Sequence, residues 1–144
     1  MNLKACIALT SCLSCALAFG EACDVTTRPA SQQLPVIQPH TCYEYKGIAP
    51  GAIDWSCSNE DKGATPTEKR KVDSCPSGAV ASCTATLTQE TLANERSASK
   101  EPGHNTLQVP DGAQLITWYY ELQEQAQARI DCEQAGGRFN YPLK

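Results

Sequence analysis

Nine cysteines in 144 residues constrain this chain more than any other feature. Three lie in the first twenty residues, and six follow: Cys23, Cys42, Cys57, Cys75, Cys83 and Cys132. The first twenty residues read as an export signal. Lys4 supplies a positive start, Ala5 to Phe19 carry no charge, and Gly20–Glu21 ends the run. Ala16-Leu17-Ala18 marks one cleavage site and Ala18-Phe19-Gly20 another, with cleavage after Gly20 preferred. An even cysteine count behind such a signal describes a disulfide-stapled domain in an oxidising, extracytoplasmic compartment, either periplasmic or secreted. The uncharged run is shorter than the roughly twenty residues that cross a bilayer, so no integral membrane span is expected.

Leu9-Thr10-Ser11-Cys12 has the outline of a bacterial lipobox. The stretch between Lys4 and Cys12 is short for an apolar core, however, and Gly20-Glu21-Ala22 before Cys23 fits the pattern poorly. Lipidation at Cys12 or Cys23 is therefore the less favoured reading. Cys12-Leu13-Ser14-Cys15 spells a redox C-x-x-C, but in a segment expected to be removed.

Loss of Lys4 with the signal leaves eleven basic residues against sixteen acidic ones. That acidity argues against nucleic acid and anionic membrane surfaces as partners. Two Trp and two Phe make a thin set of large core residues. Disulfides offset a thin core, each contributing about 2–4 kcal/mol by restricting the unfolded chain.

The organisation expected is a signal over 1–20, an extended Pro/Thr-rich arm over 21–41 and a stapled domain over 42–144. Cys42 to Ile48 alternates and is aromatic, which predicts a strand. Pro50-Gly51 predicts a turn, and Ala52 to Lys62 a short helix carrying Trp55 and Cys57 and closed by Gly63. Residues 64–74, with the basic triplet Lys69-Arg70-Lys71, read as a solvated loop. Ala79 to Thr88 alternates as a strand. Residues 89–112 are polar and broken by proline and glycine, and read as a short helix or as a functional loop. Leu115 to Tyr120 predicts a strand, followed by a helix over Glu121 to Ala135 with Leu122, Ala126 and Ile130 on one stripe. Gly136 suits the left-handed stop. One long helix from Gly112 is the competing reading.

Two segments echo each other. Tyr43-x-Tyr45 precedes Trp55-x-Cys57 and Gly63, while Tyr119-Tyr120 precedes Cys132 and Gly136-Gly137. The echo reads either as coincidence or as a repeated strand–helix unit. A repeat would give an α+β domain, an antiparallel sheet with helices on one face. Tyr119-Tyr120, Ala126, Ala128, Cys132, Gly136-Gly137 and Phe139, together with the Cys75-Pro76 to Cys83 loop, resemble a pattern in uncharacterised exported cysteine-rich bacterial proteins. The resemblance is loose, covers about two thirds of the chain beyond the signal, and implies a bacterial, extracytoplasmic origin. It implies no activity and no site residues.

Little marks chemistry. His40 and His104 stand apart from any cysteine at metal-ligand spacing, so no metal site and no cofactor is expected. No nucleophile–base set stands out, and no catalytic residue is assigned. Asp54, Glu60, Asp61, Asp111 and Glu121 are the acids available to a hydrolase. The aromatics read chiefly as core, but alternation puts Trp118 and Tyr120 on one side and Tyr119 on the other. The expectation is a non-enzymatic binding or envelope module, with an unidentified protein or envelope partner and a surface built from Trp118, Tyr120 and His104. A small extracytoplasmic hydrolase and a lipid-anchored envelope protein are the alternatives. Six cysteines allow about fifteen pairings. The pairings favoured are Cys75–Cys83, Cys57–Cys132 and Cys23–Cys42.

Overall fold

The computed structural model describes residues 21–29, 31–33, 39–54, 56–59, 66–88 and 109–143. Residues 1–20, read above as an export signal and including Cys12, lie outside them, as do Trp55, residues 60–65 and residues 89–108, including His104. Six strands form one antiparallel sheet: β1 (Glu21–Thr27), β2 (His40–Lys46), β3 (Thr67–Val72), β4 (Ala81–Thr86), β5 (Gln114–Tyr119) and β6 (Arg138–Asn140). One helix, α1 (Gln125–Gln134), precedes β6. The small stapled domain is therefore dominated by its sheet, with a single described helix where several were expected.

Across the sheet the order is β3-β1-β2-β5-β4-β6, which is symmetric about its centre. Cys23 on β1 faces Tyr43 and Lys71, and Cys83 on β4 faces Thr117 and Phe139. Tyr43 and Thr117 face one another at the middle of the sheet. A half-turn about that central pair carries β1-β2-β3 onto β4-β5-β6 with the register intact. The sequence echo thus has a topological counterpart, although among the described residues a helix is found in the second unit alone. In the first unit the described residues 51–54 and 56–57 form turns. Their hydrogen bonds mix spacings: Asp54 N–H reaches the Gly51 carbonyl, and Cys57 N–H the Ile53 carbonyl. Ile53 is fully buried and Cys57 is bonded to Cys23, so of the helix expected over Ala52 to Lys62 the described residues 52–54 and 56–59 instead form turns and bends held against the sheet.

The disulfides are Cys23–Cys57, Cys42–Cys75 and Cys83–Cys132. All three favoured sequence pairings are replaced, and strand geometry gives the reason. Successive side chains on a strand point to opposite faces. Cys23 is opposite Tyr43, so Cys42, one residue away, points to the other face and cannot meet it. Cys75 joins Cys42 on that second face, away from Cys83. Cys57 and Cys132 each staple the connection of their own unit to that unit's first strand. The bond to Cys57 also occupies the Cys23 sulfur, leaving no thiol there to carry a lipid.

Both unit disulfides lie on one face, and so does the core. One cluster joins Cys23, Tyr45, Ile53, Cys57, Leu87, Ala113 and Leu115. A second joins Ala81, Cys83, Tyr119 and Cys132, with Leu122 and Phe139 packed against it. Burial, reinforced by the charges of Tyr43 and Asp131, pushes the Tyr119 phenol up to about 12. Helix α1 buries Ala128 and Cys132, whereas Ile130 of the expected stripe is 46% exposed. The Cys83 bond sets the rotation of this helix, whose apolar periodicity is weak. Gly136 ends it at φ 76°, in the left-handed conformation expected.

Two segments differ in position from their sequence reading. Residues 21–27 are extended as expected of the arm, but β1 is paired on both sides, between β2 and β3. The basic triplet lies on β3, an edge strand, and not in a loop. Lys69 Nζ donates to the Ser56 carbonyl at 3.0 Å, and Lys71 bonds Asp54 and reaches Glu21 at 3.1 Å. The hydrogen bonds to Asp54 and Glu21 raise the Lys71 pKa. Arg70 points to the opposite face. Charged side chains along an edge also discourage pairing with another chain.

Gly137 is packed by the second-unit disulfide. A Cβ there would stand 2.8 Å from both Cys132 Sγ and Cys83 Sγ. Gly137→Ala should therefore destabilise the oxidised protein by about 1–3 kcal/mol in urea unfolding. Gly136→Ala meets open space and carries only the cost of its positive φ. Non-reducing peptide mapping should recover Cys23–Cys57, Cys42–Cys75 and Cys83–Cys132, and a Cys75–Cys83 peptide would refute this fold.

Candidate functional site

The face opposite the core is polar and aromatic. Strand alternation places Ala22, Asp24, His40, Cys42, Glu44, Ile116 and Trp118 on it. The register then aligns Arg70, Asp24, Cys42, Trp118, Ser82 and Asn140 in one row across all six strands. Tyr120 follows β5 and continues its pairing, with its N–H donating to the His40 carbonyl at 3.2 Å.

Asp24 anchors one half of this face, with its side chain only 9% exposed. A carboxylate this buried needs partners on both oxygens. His40 Nε2 lies 2.7 Å from Oδ1, and an Arg70 guanidinium nitrogen lies 3.0 Å from Oδ2. The His40 ring stacks on Tyr120, with centroids 4.3 Å apart and planes 20° from parallel. The Tyr120 hydroxyl donates to the Pro76 carbonyl at 2.5 Å. Burial, and then the charges of Asp24 and Glu44, raise the Tyr120 pKa.

Trp118 anchors the other half. Its indole N–H donates to Glu44 Oε2 at 2.9 Å. Glu44 and Trp118 occupy equivalent positions in the two units, so this bond spans the axis of the half-turn. The Cys42–Cys75 bond draws residues 74–79 over the sheet beside them. The resulting cleft, of about 370 Å³, lies between Trp118, Glu44 and that strap, with Leu143 at its rim. Neither the Asp24 cluster nor this third disulfide has a counterpart in the other unit, where Thr84 and Ile116 stand at the positions of Asp24 and Cys42. A larger hollow of about 560 Å³ beside β6 is lined by residues such as Thr84, Gln114 and Arg138, with no aromatic ring among the described lining residues.

Of the surface residues expected from sequence, the fold brings Trp118 and Tyr120 together on this face. His104 lies outside the described residues. Sequence reading missed Asp24, His40, Glu44 and Arg70. The signal available was alternation: His40, Cys42 and Glu44 share one face of a strand once its register is known. Asp54 is engaged by Lys71, and neither it nor Asp111 or Glu121 lines the cleft. Glu60 and Asp61 lie outside the described residues. Among the described residues, no three His, Cys, Asp or Glu side chains gather to hold a metal, and no helix is long and apolar enough to cross a membrane.

No protein-family profile, curated protein or solved structure matches the chain.

The Asp24 cluster gives an ordered pair of mutational effects. Asp24→Ala strands a half-buried imidazole against its ring partner and should cost about 2–3 kcal/mol in urea unfolding. Arg70→Ala removes a partner whose side chain is 67% exposed and should cost less than about 1 kcal/mol. Equal losses would contradict the central role of the Asp24 carboxylate.

Proposed function

We propose that this chain is an exported, non-enzymatic binding module of bacterial origin, working in the periplasm or outside the cell. Its ligand face would be the polar sheet face carrying Trp118 and Tyr120. Three disulfides suit an oxidising compartment and agree with the export signal read from the sequence. The observation that carries the reading is the treatment of the two aromatics. Tyr119 serves the core, while its neighbours Trp118 and Tyr120 stay only partly buried on the other face. Each is fixed in place, Trp118 by Glu44 and Tyr120 by His40 and Pro76, beside an open cleft. Rigid aromatic side chains with one polar bond each are the kind that anchor binding surfaces.

A hydrolytic reading would rest on the Asp24–His40 pair. The second Asp24 oxygen holds Arg70, and the imidazole is stacked on Tyr120. Both groups therefore act within the scaffold, which favours binding over catalysis.

The test is retention of native material on immobilised, oxidised protein. A component of the envelope extract or culture medium should be held by the wild type and by the exposed-helix control Gln134→Ala. It should be lost by about ten-fold or more from Trp118→Ala and from Tyr120→Ala. Equal retention by all four proteins would overturn the assignment of this face.

A further inference from the structure

We infer that the Trp118 cleft takes an organic cation, an alkylated ammonium group held between the indole and the Glu44 carboxylate. This rests on the reading of that face as a binding face and names what its cleft selects. Six observations converge on it. Glu44 is the only charged side chain among the described residues lining the cleft. Its charge is only loosely matched: Oε2 accepts the Trp118 N–H, and Oε1 forms an ion pair with Lys46 at 3.6 Å, longer than a hydrogen bond, to a lysine side chain that is 52% exposed and that a better-placed cation would have to outcompete. The indole is the strongest aromatic partner for a cation, and its N–H bond to Glu44 fixes its orientation. The remaining wall includes Pro76, Ala79, Leu143 and the Cys75 end of a disulfide, which suits alkyl groups better than a heavily hydrated ion. The volume of about 370 Å³ is at the small end for ligand sites, which fits a head group and not an extended chain. The chain's net charge of −4 has the sign that favours cations. A neutral sugar would need a denser array of hydrogen-bonding side chains than Glu44, Ser74 and Ser77 provide.

The pair that defines the site also identifies its probe. Proton–nitrogen correlation spectra show the indole N–H resonances of Trp55 and Trp118, and Trp118→Phe assigns the latter by its loss. Choline should shift the Trp118 resonance saturably. Its uncharged analogue 3,3-dimethylbutan-1-ol should bind roughly ten-fold more weakly or worse, having the shape without the charge. Glu44→Gln keeps an acceptor for the indole N–H while removing the charge, and should weaken choline roughly ten-fold with the fold retained. Choline and the alcohol binding alike, methyl glucoside binding better than either, choline unaffected by Glu44→Gln, or no shift with choline would each overturn the inference. Failure is separable from failure of the parent reading. Retention lost in Trp118→Ala without a choline shift leaves the binding face and removes the cation. A Glu44-dependent choline shift with retention unaffected by Trp118→Ala leaves the cation site and removes the partner surface.

Discussion

The Cys23–Cys57 and Cys83–Cys132 bonds are the constraint on which the rest of the structure depends. A single sheet must cover one face to be stable, and this chain has few large apolar side chains with which to do so. Each unit solves the problem in the same way. A cysteine on its first strand is joined to the segment that follows its second strand, and that segment is drawn over the sheet. The covalent bond replaces part of the packing that a larger core would supply. Ile53 is fully buried beneath one cover, while the Cys83–Cys132 sulfurs fill the space beneath the other so closely that Gly137 has no room for a Cβ.

Because the two staples share a face, the opposite face is relieved of core duty and can be polar. The third bond, Cys42–Cys75, then has a different role. It draws the 74–79 strap over the free face and makes a cleft out of what would be a flat surface. The half-turn that relates the two units makes the division visible. Cys23 and Cys83, and Cys57 and Cys132, are equivalent and structural. Asp24, His40 and Cys42 have no equivalents, and they share the face of the Trp118–Glu44 pair, with Cys42 directly opposite Trp118. In a molecule built from two similar halves, these three departures from symmetry all fall on the face opposite the core.

Much of the fold was legible in the chain because local pattern sets local structure. The alternation of 42–48, 79–88 and 115–120 predicted strands that form as His40–Lys46, Ala81–Thr86 and Gln114–Tyr119, and the Gln/Ala-rich run before Gly136 predicted the helix. The failures share one cause. A helix was expected over 52–62, but the described residues 52–54 and 56–59 form turns and bends, held by burial of Ile53 and the bond at Cys57. Lys69-Arg70-Lys71 looks like solvated loop chemistry, yet an edge strand distributes those charges, with Lys69 and Lys71 clamping the turn segment on one face and Arg70 meeting Asp24 on the other. Of the candidate surface, Trp118 and Tyr120 were readable from alternation within one strand. Asp24, His40 and Glu44 were not, because their convergence depends on how neighbouring strands are registered.

The sequence by itself determined the strategy: six cysteines beyond residue 20 in a chain poor in large apolar residues, a composition that calls for covalent staples. It also determined which stretches alternate and where the helix stops. Only the tertiary structure decided which cysteines meet. That choice depends on which face of a strand each sulfur occupies and on which strands are neighbours, and both are properties of register between segments far apart in the chain. Cys23 and Cys42 illustrate the reason. They lie on adjacent strands one position out of step, and a one-residue offset in a sheet separates two side chains by the full thickness of the backbone layer.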